Sequence, residues 1–178
     1  MTESIAISSA LLATVTNHLA GDTEQVGFFH ANYDIEGHRF ELEDWFPMST
    51  DQFAVQSDYH VTLHDNVRPT LIKTAWDSGL SLGEVHSHVG DRPAEFSWSD
   101  ITGLNEWVPH VRRRLRGRPY FAVVVGGNSF DALAWTDSST QPVQVNAILV
   151  ADQPPLLATG RTIDHWNNET AARSRHDR

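Results

Sequence analysis

Two periods of apolar positions run through this chain, and the changes from one to the other divide it into elements. A short strand is expected over residues 4–8. In "SALLATVTNHLAG" the apolar residues recur at helical spacing and Gly21 supplies the stop, which predicts a helix. Strand spacing follows in "QVGFFHANYD" and in "HRFELEDWF", where Phe40, Leu42 and Asp44 share one side of a half-exposed strand and Gly37 falls in the turn between them. Residues 47–59, "PMSTDQFAVQSDY", show no clear period and are expected as loop or irregular strand. "HDNVRPTLIKTAWDSG" carries helix punctuation at both ends, with Asp65 and Asn66 as N-caps, Pro69 in the first turn and Gly79 just past the last. A strand in "LSLGEVHSH" leads to a helix in "SDITGLNEWVPHVRRRLRG", beginning near Ser99 and open to a bend at Pro109. Three further strands, "YFAVVVGG", "DALAWTD" and "VQVNAILVAD", complete the pattern.

Strands and helices mix without a regular βαβ rhythm. The expectation is therefore an α+β domain: a mostly antiparallel or mixed β-sheet with helices packed on it. Residues 1–152 form that domain, and residues 153–178 read as a polar C-terminal tail. Composition makes this tail a frayed end, with Trp166 as an exposed apolar anchor for a partner if it docks.

Composition narrows the chemistry. At 178 residues the chain fits one domain, and a net charge of −10 argues against a surface built to neutralise phosphates. The basic run "RRRLRGR", Arg112 to Arg118, ends a predicted helix, where cations complement the helix dipole. Neither nucleic acid nor membrane is an expected partner, since no apolar run approaches the roughly 20 residues of a membrane span. The amino terminus lacks a basic opening and a small-residue cleavage site, so the expected location is the cytoplasm. With no cysteine, any metal must be held by His, Asp, Glu and water.

One stretch concentrates such ligands. "GEVHSHVGDRPAEFSWSD" holds His86 and His88 on one strand face, about 7 Å apart along the chain, with Glu84 on the same face. Asp100 follows twelve residues after His88, in the first turn of the next helix, where a carboxylate is electrostatically favoured. Two imidazoles and a carboxylate leave one tetrahedral position open, as in a catalytic zinc site. Ser97, Ser99 and Asp100 can equally serve as helix caps, and an isolated His-x-His is common in ordinary strands. His60 and His64 lack the glutamate of a HExxH helix, and His30 reads as a packed histidine or an outer partner of the site.

"HSH", a spacer and "SWSD" together resemble the signature of the JAMM, or MPN-plus, zinc metalloproteases, whose prokaryotic members are called JAB domains. "EQVGFF", starting at Glu24, resembles the family's upstream glutamate strand, 62 residues before His86. Val89 stands where the family commonly has proline, Ala31 replaces a glycine, and the spacer is one residue longer. The resemblance covers about residues 4–151 and implies a JAMM/MPN-like fold. It further implies one Zn2+ per chain on His86, His88 and Asp100, with Glu24 as general acid/base and Ser97 stabilising an oxyanion. Glu84 is a rival base or a site-lining group, and Trp98 borders the groove. The implied activity is hydrolysis of the amide bond after the C-terminal tail of ubiquitin or a ubiquitin-like protein, in a pathway that includes an E1-like activating enzyme. Alternatives are a sulfur-carrier-protein or small-amide hydrolase on the same zinc site, and a non-catalytic MPN scaffold.

Overall fold

The computed structural model describes residues 2–164 and residue 166. β1 (Glu3–Ile7) leads into α1 (Ser9–Leu19), whose first turn is capped by the Ser8 side chain accepting from the Leu11 amide. β2 (Val26–Asp34) and β3 (Arg39–Pro47) form an antiparallel hairpin, and β4 (Phe53–Gln56) and β5 (Val61–Leu63) a small separate one. α2 (Val67–Ser78) ends at Gly79, whose left-handed φ of 78° is the backbone state that glycine adopts without strain. Then come β6 (Ser81–Ser87), α3 (Trp98–Arg114), β7 (Tyr120–Gly126), β8 (Ser129–Trp135), β9 (Val143–Val150) and β10 (Leu156–Leu157).

The elements match the periodicities closely, but their assembly does not match the expected sheet. Strand order runs β1-β3-β2-β6-β7-β8-β9, and β9 then pairs in parallel with β1. Seven strands thus close into a mixed barrel with few helices. The expected α+β, JAMM/MPN-like sheet with helices packed on it is therefore corrected to a closed barrel. The physical reason lies in β1. Its two edges pair with β3 and β9, so a five-residue strand removes both edges the sheet would otherwise leave open.

Closure produces two cores. Inside the barrel, Ile5, Phe29, Phe40, Val85, Phe121, Ala132 and Val145 pack together, one from each strand, and α1 adds Val15 and Leu19. Outside, Phe28, Leu82, Tyr120 and Leu133 face Leu71 of α2 and Leu104 and Val108 of α3. Along β7 the alternation is complete: Phe121 and Val123 point inward, Tyr120, Ala122 and Val124 outward. By the same parity Glu84 and His86 of β6 point outward, towards the helices.

Residues 47–59, expected as loop or irregular strand, include the ordered strand β4. The C-terminal segment also differs from the frayed end expected of it. β10 pairs with β9, residues 161–164 form a helical turn, and Thr162 is wholly buried. Trp166 is no exposed anchor: at 2% exposure it packs edge-on against Trp135, and its indole N–H donates to Gln141. The remainder of the tail lies outside the described residues. No helix among the described residues is long and apolar enough to cross a membrane.

Candidate metal centre

The site forms where the outer face of β6 meets the start of β2 and the N-terminus of α3. β2 and β6 are antiparallel with Val26 opposite His86, and the Ser87 amide donates to the Gln25 carbonyl. Extending that register one more residue sets Glu24 beside His88. Sequence distance is thus converted into contact by strand pairing. The backbone of Glu24 is fixed a second time by the β4–β5 hairpin: its amide donates to the Ser57 carbonyl and its carbonyl accepts from the Gln56 side chain.

Asp100 arrives by a different route. The chain leaves β6 through a loop containing Gly90, whose φ is 110°, and enters α3 through a capping box at Ser97. The Ser97 hydroxyl accepts from the Asp100 amide, and the Ser97 amide donates to Asp100 Oδ2. The same carboxylate oxygen lies 3.1 Å from His88 Nε2 and 3.4 Å from His86 Nε2, and the two imidazole nitrogens are 3.2 Å apart. Donors roughly 2.0–2.1 Å from a tetrahedral ion stand about 3.3–3.4 Å from one another. The three nitrogen and oxygen atoms are therefore already spaced as ligands, and their nature suits zinc in a chain that has no thiolate to offer.

Electrostatics agree with the geometry. Burial, the largest influence on His86, pushes its pKa down, but the charge and hydrogen bond of Asp100, with Glu84 and Glu24, carry it above its ordinary value. Burial likewise pushes Asp100 up, yet His86 above all, with His88 and Ser97, holds it well below the usual carboxylate range. In Glu24 burial prevails over the imidazoles of His88 and His86, and its carboxyl is raised. A carboxyl so raised is better suited to accept and return a proton near neutral pH. Its Oε1 lies 4.0 Å from His88 Nε2, alongside the ligand cluster but outside the close trio.

These groups line a cleft of about 510 Å³, walled opposite by His60, Val61 and Leu63 of the small hairpin. The Ser97 hydroxyl lies on this cleft and, among the described residues, donates no hydrogen bond of its own. Glu84 lines the cleft, as expected of a site-lining group, but is not one of the three clustered ligands. It accepts from the Tyr120 hydroxyl at 2.8 Å, and that hydroxyl in turn accepts from the Trp107 indole. Trp98 is 54% exposed on the first turn of α3 and outside the cleft lining. His30 packs under Phe46 and near Thr74, away from the site, and His60 and His64 join no ligand cluster among the described residues.

Sequence reasoning missed two groups beside the centre. Phe96 is fully buried with its ring edge-on to His86 at 5.6 Å, and Arg68 reaches the cleft stacked over Trp107 at 4.4 Å. An aromatic just before the helix cap was a visible signal for Phe96. Arg68 carried none, because its role depends on how α2 and α3 pack.

No protein-family model matches the chain, and no curated protein matches it. Among solved structures, it is similar to the solution structure of protein DSY2949 from Desulfitobacterium hafniense. The match covers 84% of this chain and 94% of that one, with a TM-score of 0.51 and 17% identity. At that identity the likeness speaks for the fold alone.

Proposed function

We propose that this chain is a zinc-dependent amide hydrolase that cuts after the C-terminal tail of a ubiquitin-like protein. The observation that carries the reading is the convergence of His86 Nε2, His88 Nε2 and Asp100 Oδ2 at 3.1–3.4 Å, with the raised carboxyl of Glu24 beside them. A zinc ion held by His86, His88 and Asp100 would supply a Lewis acid and water acidic enough to be deprotonated near neutral pH. Glu24 is placed to take a proton from the attacking water and to return one to the departing amine. The Ser97 hydroxyl, held by the α3 cap, donates to the carbonyl oxygen of the scissile amide as charge develops. His88 and His86 stay neutral while they act as ligands, and Asp100 balances part of the ion's charge.

The residue pattern that resembles the JAMM metalloproteases supports this chemistry, and the cleft supports an extended substrate. A Gly-Gly tail carries no side chains past the ligands, and an extended backbone can run along the cleft beside the hairpin. The reading implies an E1-like activating enzyme in the same pathway and places the reaction in the cytoplasm.

The test is cleavage of a fusion protein carrying a Gly-Gly-ended ubiquitin-like tail. Zinc-loaded wild type should release the fusion partner, while Glu24→Gln should keep its zinc and lose about 10²–10⁴-fold in rate. Zinc-loaded wild type that fails on all such tails, with Glu24→Gln indistinguishable from it, makes the chain a metal-binding scaffold instead.

A further inference from the structure

We propose that the C-terminal segment 159–162 is a clasp that positions the metal centre, with Thr162 as its positioning residue. The inference rests on the metal-site reading and adds to it a control point remote from the ligands in sequence. The loop between His88 and α3 has no strand of its own. Its residues are held from outside, three consecutive ones by this segment.

Thr159 Oγ1 donates to the Ala94 carbonyl at 2.7 Å, Arg161 pairs with Glu95 at 2.9 Å, and the Phe96 amide donates to Thr162 Oγ1 at 3.0 Å. Three consecutive loop residues are thus tied to one short stretch. Other ties among the described residues include the Ala94 amide to Ser129 Oγ and the Gly127 amide to the Gly90 carbonyl.

Thr162 is itself anchored. Asp131 on β8 is wholly buried, and its Oδ2 accepts from both the Thr162 amide at 2.8 Å and the Thr162 hydroxyl at 2.7 Å. Its Oδ1 accepts from the amides of Ala132 and Gly160 and from the Gln144 side chain. With its proton committed to Asp131, the hydroxyl can only accept from Phe96. One oxygen therefore joins barrel, C-terminal segment and site loop.

Phe96 passes the constraint to two ligands. Its ring lies against His86, and the next residue, Ser97, caps α3 and orients Asp100. Removing the Thr162 hydroxyl leaves a buried Phe96 amide without its acceptor, so the loop must shift to satisfy it. That shift moves Asp100 relative to His86. Outer groups that orient ligands commonly carry about 10–100-fold in metal affinity.

Zinc affinity of the full chain, measured by competition with a calibrated chelator, tests this. Thr162→Val should weaken zinc binding about 10–100-fold, and Thr162→Ser, which keeps the hydroxyl, should restore most of it. The visible spectrum of the Co2+-loaded protein should change in Thr162→Val and not in Thr162→Ser. Tyr33→Ala, which thins the core against Phe40 at the far end of β2 from Glu24, controls for general destabilisation and should bind zinc as wild type does. Wild-type affinity in Thr162→Val, or an equal loss in Tyr33→Ala, overturns the proposal. A wild-type chain that takes up no zinc defeats the metal-site reading itself, and the clasp with it. Should Thr162→Val fail to fold, Arg161→Ala removes only the exposed ion pair to Glu95 and must show a smaller loss in the same direction.

Discussion

Zinc should stabilise this protein measurably, and one histidine should decide whether it does. The three ligand atoms already stand 3.1–3.4 Å apart, so binding needs little rearrangement of the folded chain. An ion that binds only the folded state adds about 2.7 kcal/mol when its concentration is a hundred times the dissociation constant. For a domain of this length each kcal/mol moves Tm by roughly 2–4 °C. The expected rise is therefore about 5–11 °C between chelator-treated and zinc-loaded wild type. His88→Ala is the sharpest perturbation, because His88 Nε2 is within 3.2 Å of both other ligand atoms. It should abolish most of the rise and change Tm of the metal-free protein far less. Scanning calorimetry with and without zinc reads both quantities. The unfolded wild-type chain, with ten histidines, also binds zinc and trims the effect, nearly as much in the variant, which lacks one of them. Wild type with no shift, or His88→Ala with the full shift, refutes the reasoning.

Backbone packing and pH give two further checks. A Cβ on Gly83 would lie 2.1 Å from Phe121 Cζ, and Phe121 is enclosed by the barrel core, so Gly83→Ala should cost about 1–3 kcal/mol in urea unfolding. Gly27→Ala meets the ring of Trp45, which is only partly buried and can swing aside, and should cost less; equal costs would contradict this account. His30 is held below its ordinary pKa, chiefly by burial, against the upward pull of a Leu71 backbone hydrogen bond and of Asp44. The unfolded chain then binds more protons, so the contribution of His30 is present above about pH 6.5 and fades as pH falls towards its folded pKa. Metal-free His30→Leu should accordingly lose less Tm than wild type between about pH 7.5 and pH 5.5; an equal loss would show that His30 does not titrate in this way.

Local periodicity carried the elements. The strands of residues 26–47, the helix from Val67 closed at Gly79 and the run "YFAVVVGG" all stand where the pattern of apolar residues puts them. Closure was not legible, because it depends on one short strand choosing two parallel partners far along the chain. Nothing in five residues distinguishes a strand that borders a sheet from one that joins its ends. The docking of the C-terminal segment was hidden for a related reason. Its anchor, Asp131, sits in a run that reads as an ordinary strand, and a buried carboxylate cannot be recognised before its donors are known.

The candidate site was legible to the extent that its geometry is local. His86 and His88 needed only the two-residue repeat of a strand, and Asp100 only the cap that starts a helix. Glu24 needed more, since its distance from His88 follows from the antiparallel register of β2 and β6. A shift of that register by one residue would turn Glu24 away from the cleft. The register is in turn secured by residues with no chemistry of their own. Gly27 opens the space that the Trp45 ring fills, and Gly83 the space for Phe121. Either strand slipping would carry a side chain into one of those rings. The same packing that closes the barrel thus also keeps a carboxylate beside three ligand atoms, which is why Gly83→Ala should disturb zinc binding as well as stability.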